Sequence, residues 1–157
     1  MKHRLLLPAI LLLAAASASL RAEEAPQLER FKNFAQQLDN VKLTGYFTIV
    51  GKDKPPAKES YTILSVSKFG KGDIWVFNTL MKKNGQEVEL PIPLPVKWVG
   101  SKPVIHMDNL NIPTMGTFSA SVLFDDDKYA GTWAHGKTKG HLYGTIAKRE
   151  PDGAKRK

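Results

Sequence analysis

The run Gly116-Thr117-Phe118-Ser119-Ala120-Ser121-Val122-Leu123-Phe124-Asp125-Asp126-Asp127-Lys128-Tyr129-Ala130-Gly131-Thr132-Trp133-Ala134-His135 decides the fold. Phe118, Ala120, Val122 and Phe124 alternate with Thr117, Ser119 and Ser121, so an extended chain buries one set and wets the other. Asp125 to Lys128 makes a turn, and the extended rhythm resumes from Tyr129 to His135. Gly136 to Gly140 then reads as a loop into a last segment, His141 to Ala147.

The same rhythm recurs toward the N-terminus in Leu43 to Gly51, Glu59 to Phe69, Asp73 to Lys82, a fourth segment from Gln86, and Pro103 to Asp108. Lys52 to Lys58, Gly70 to Gly72, Asn84-Gly85, Gly100 to Lys102 and Asn109 to Met115 separate them. Asn84-Gly85 is the sharpest hairpin signal, because both residues tolerate the positive φ of a tight type I′ turn. Eight short-linked segments predict an all-β fold, an eight-stranded antiparallel up-and-down barrel with one N-terminal helix. An even count leaves the first and last strands antiparallel, so they can pair and remove the edges. A two-sheet sandwich is the rival, but it needs more connections long enough to cross between sheets.

In the fourth segment Val88, Leu90, Ile92, Leu94, Val96 and Trp98 hold one parity, and Pro91, Pro93 and Pro95 the other. Alternate residues donate to opposite neighbours, so three missing N–H groups all fall on one flank. That flank is expected to be unpaired: a bend, an edge or a gap in the wall beside a mouth.

Leu28, Phe31, Phe34, Ala35 and Leu38 recur at three- and four-residue spacing between Gln27 and Asp39, which predicts an amphipathic helix, with Pro26 suited to its first turn and Asn40 to its end. Before it, Lys2 and Arg4, the apolar run Leu5 to Ala16 and the small residues Ala16-Ser17-Ala18 have the form of a secretory signal cleaved near Ala18. The expected organisation is signal peptide 1–18, leader and helix 19–42 packed on the barrel, barrel 43–147 and a basic flexible tail 148–157. Export to the periplasm or the exterior follows. No stretch is long and apolar enough to span a membrane, and without cysteine the core must hold without disulfides. The formal charge of +8 is mostly scattered lysine, a pattern of solvated surface rather than a specific nucleic-acid face.

Candidate chemistry is sparse. A five-residue loop would set His135 opposite His141, with Trp133 and Tyr143 the next same-face pair. Such a cluster suits ligand contact, and with His106 as a third imidazole it would suit a metal or proton transfer. Asp125-Asp126-Asp127 lacks the alternating oxygens and closing acid of a calcium loop. No nucleophile motif occurs, and Glu87 and Glu89 read as polar exterior. No cofactor is implied. A cavity would be lined by some of Phe47, Trp75, Phe77, Leu94, Trp98, Phe118 and Val122.

Ser60 to Lys68, Val96 to Gly100, Tyr129 to His135 and Gly140 to Gly144 resemble segments of a family of exported bacterial β-rich proteins, a likeness that carries no activity with it. The leading helix and eight-strand meander also resemble, in architecture, the calycin (lipocalin-like) group, which implies a barrel holding a small, mostly apolar molecule. The expected function is therefore a non-enzymatic, exported barrel binding an apolar or amphipathic ligand through Trp133, His135, His141, Tyr143, Trp75, Phe77, Trp98 and Phe118. A metal or enzymatic centre on His106, His135 and His141 is the alternative, and a polyanion- or protein-binding surface a third.

Overall fold

The computed structural model describes residues 26–83, 86–112 and 115–150. The expected signal, the hairpin residues Asn84 and Gly85, and tail residues 151–157 lie outside the described residues. The chain divides into two compact units at Asn33/Phe34. The described part of the first is the opening of helix α1 (residues 26–37), which begins at Pro26, where a missing N–H has no helical partner to lose.

Among the described residues of the second unit eight strands form a closed antiparallel barrel in sequence order: β1 (Val41–Phe47), β2 (Ala57–Lys68), β3 (Ile74–Lys83), β4 (Gln86–Val99), β5 (Lys102–Ile112), β6 (Gly116–Asp125), β7 (Lys128–His135) and β8 (Thr138–Lys148). The first and last strands pair from Val41↔Lys148 to Phe47↔Leu142, which closes the cylinder as their antiparallel sense allows.

Burial follows parity. Val41, Leu43 and Gly45 are buried and Lys42, Thr44 and Tyr46 exposed; across the ladders the inner set continues through Ile63 and Val66, Trp75 and Phe77, Val96, Ile105, Ala120, Val122, Phe124 and Tyr129. The densest packing lies where α1 ends. Phe34 is 2 % exposed and meets Trp75, Trp98, Phe77 and Phe124 edge-on, at centroid distances of 5.0, 5.6, 6.2 and 6.4 Å. Edge-to-face geometry sets ring edges against negative ring faces, worth about 0.5–1.5 kcal/mol per pair beyond area burial.

The end of α1 is tied down by the strands. Asn40 takes φ 49°, the left-handed conformation of a helix stop, donates its N–H to the Leu64 carbonyl and accepts from Arg149 N–H. Lys148 Nζ donates to the carbonyls of Gln36 (3.0 Å), which also accepts from Asp39 N–H, and of Asp39 (2.6 Å), at the end where a helix exposes its last carbonyls. Lys148 thus belongs to the closing strand and not to a flexible tail.

Three other boundaries need correction. The first strand runs from Val41 to Phe47 and not from Leu43 to Gly51. The fifth strand does not stop at Asp108: a register shift between Met107 and Leu110, with Asn109 at φ 50°, lets it continue to Ile112. The last strand starts at Thr138, because β7 and β8 are joined by only two residues, Gly136 (φ 59°) and Lys137.

Candidate functional site

The short β7–β8 turn redistributes the expected aromatic and histidine cluster. The pairs are His135↔Thr138, Trp133↔Gly140 and Thr132↔His141. Compared with a five-residue loop the register differs by an odd number of residues, which reverses faces in one strand relative to the other. Trp133 and His135 share the inner parity, whereas His141 and Tyr143 lie outside. His141 meets Thr48 there (Nδ1 to Oγ1 3.4 Å), and Tyr143 stands 6.1 Å from Tyr46, both rings exposed. The expectation that His135 faces His141, and Trp133 faces Tyr143, is therefore overturned.

His106 is a third separate case, on the outer face of β5 with Nδ1 2.9 Å from Ser121 Oγ. The three histidines do not converge, and among the described residues no group of three or more His, Asp or Glu side chains is arranged to hold a metal. Trp75 and Phe77 are each 1 % exposed beneath Phe34, and Trp98 packs on the same ring, so these three belong to the closed end.

Half-buried Phe118 and Trp133 occupy the opposite half of the interior, with His135, of the same parity but exposed, at the end of β7. Phe118 and His135 stack at 4.3 Å with 7° between planes, and Phe47 meets Trp133 edge-on at 5.8 Å. Gly116, at φ 98°, makes the first pair fit: a Cβ there would lie 2.8 Å from His135 Nε2. The Trp133 indole N–H is buried without a hydrogen-bond partner and lies over Gly140. Such a donor costs about 1–3 kcal/mol until an acceptor reaches it.

The wall of this half is open on one side. β4 pairs with β3 along its length, from Ile74↔Pro95 to Lys83↔Gln86, but with β5 only from Val96↔Ile105 to Val99↔Lys102. Val96 N–H donates to the Asp73 carbonyl, so even-numbered β4 amides point toward β3 and odd-numbered positions toward β5. Pro91, Pro93 and Pro95 are the odd ones and have no N–H to give. The expected unpaired flank is this seam. Leu90, Ile92 and Leu94 beside it, and Met107, Leu110 and Ile112 opposite, carry inner parity yet are only half-buried.

One polar constellation faces inward. Glu59 lies opposite Gly45, and its carboxylate accepts a hydrogen bond at each oxygen, from Tyr129 (2.8 Å) and from Tyr61 (2.9 Å). Tyr129 reaches from β7 because Gly144 and Gly45 leave the intervening wall bare: a Cβ on Gly144 would lie 2.7 Å from its ring and one on Gly45 2.6 Å from its hydroxyl. Both phenols are pushed well above their ordinary pKa, Tyr129 by burial and then its bond to Glu59, Tyr61 by partial burial and then the Glu59 charge, so both stay O–H donors.

Sequence reading missed this trio, since Glu59 follows a polar loop and reads as exterior. The available signal was glycine inside strands, at Gly45, Gly131 and Gly144, which marks a close approach of something from another strand.

Comparison of the chain with protein-family models, curated proteins and solved structures finds no match. Among the described residues no helix is long and apolar enough to cross a membrane.

Proposed function

We propose that this protein is an exported, non-enzymatic barrel that binds a small apolar or amphipathic molecule in the half of its interior opposite Phe34. The observation that carries the reading is the β4–β5 seam, where apolar side chains of inner parity remain half-buried beside a strand flank that three prolines keep unpaired. The partnerless Trp133 N–H supports it, as a donor that a bound acceptor would satisfy. The signal-like residues 1–18 support export.

The test is titration of the purified barrel with the neutral fluorophore N-phenyl-1-naphthylamine, with energy transfer from tryptophan as the readout. Saturable binding with about one site per chain is expected, weakened at least tenfold by Ile92→Lys at unchanged circular dichroism. Unsaturable binding, or saturable binding indifferent to Ile92→Lys, overturns the reading.

A further inference from the structure

Glu59 is the one carboxylate identified with inner parity in a wall that also carries Phe47, Leu90, Phe118 and Trp133. The ion pairs of the described residues, Lys97–Asp73, Lys102–Asp125, Lys102–Asp126 and Lys128–Asp127, all lie elsewhere, and none includes Glu59. Its hydrogen bonds come from two neutral phenols. Phenols orient a carboxylate without cancelling its charge. A carboxylate offers about four lone-pair positions, and these two bonds use one on each oxygen. The remaining capacity is accessible, since Glu59 is half-buried and the neighbouring Tyr61 is 50 % exposed. Tyr61 adds an aromatic face, the surface that attracts ammonium groups.

We infer that Glu59, held by Tyr61 and Tyr129, anchors a cationic head group, so that the ligand is an amphiphile with an ammonium at one end and a hydrocarbon chain at the other. This deepens the binding reading above and rests on it. The ammonium takes the free side of the carboxylate, and the chain runs over Phe47 and Trp133 toward the seam. A carboxylate or phosphate head is repelled from the same place.

The experiment compares decylamine, decanol and decanoate, each below its aggregation concentration, as competitors of N-phenyl-1-naphthylamine on the wild-type chain and on Glu59→Gln. The glutamine keeps an oxygen acceptor for a tyrosine, and circular dichroism confirms the fold. Decylamine is expected to compete at least tenfold better than decanol, with decanoate weakest, and the three to converge in Glu59→Gln. Equal competition in the wild type, with the fluorophore still bound, overturns the Glu59 assignment alone; failure of the fluorophore to bind overturns the underlying reading.

Discussion

At one end of the barrel Phe34 sits among four aromatic rings and is almost wholly covered; at the other, Phe118 stacks on a single histidine and Phe47 meets a single tryptophan edge-on, beside a wall that stops pairing. The strands are the same ones, with the same alternation. What differs is the plug: the last turn of α1 fills the first end with a side chain, while no described element does so at the second. One half is consequently a tightly covered core and the other is only half-buried, and the two should respond differently to the same perturbation.

The largest contrast is expected on truncating an aromatic. Phe34→Ala should cost about 3–5 kcal/mol, measured by urea unfolding, because it opens a cavity that four rigid rings cannot collapse into. Phe118→Ala, starting half-exposed, should cost about 1–2 kcal/mol. Equal losses would break the distinction between the two halves. Gly144→Ala comes next, at about 2–3 kcal/mol, since its Cβ would meet the Thr44 carbonyl and the Tyr129 ring at once. Lys148→Met should cost about 1 kcal/mol by leaving the Gln36 and Asp39 carbonyls without their cation.

The pH response is smaller and has a definite sign. Tyr61 and Tyr129 bind their protons more tightly folded than unfolded. Their contribution is therefore complete below the unfolded phenol value of about 10 and falls as pH rises above it toward the raised folded values. Thermal midpoints between pH 9 and 12 should drop accordingly, less steeply in Glu59→Gln, where burial remains but the neighbouring charge does not. The smallest effect on stability belongs to the seam. Replacing Pro91, Pro93 and Pro95 with threonine restores three donors and should slow amide exchange in residues 106–112 while moving the unfolding midpoint little; unchanged exchange would show that the prolines are not what holds the seam open.

The architecture was legible because the alternation in segments such as Gly116 to Phe124 leaves little choice of face, and because proline spacing identifies a flank without reference to any partner. Asn40 as the helix stop was legible for a similar local reason. What escaped depends on counting residues across turns. A two-residue link at Gly136-Lys137, where five residues had suggested themselves, exchanges which of His135 and His141 faces inward. The register shift between Ile63 and Ser65 in β2 likewise interrupts parity beside Tyr61 and Glu59. Short polar runs rich in glycine and lysine carry no marker of where pairing begins, so faces beyond them are ambiguous until the ladder is seen. The inner glycines were visible, but the phenol they admit comes from a strand far away in sequence.

Arg149 N–H donates to the Asn40 carbonyl at 2.8 Å, beside the Val41↔Lys148 pair. The beginning and the finish of the strand circuit are therefore adjacent, and every neighbour relation around the ring is equivalent to the one that happens to span the chain's two ends. A circular permutant, with a short linker joining 149 back to 40 and new termini cut into the exposed Gly100-Ser101 turn, would retain the whole cyclic order of strands while giving up the Phe34 plug.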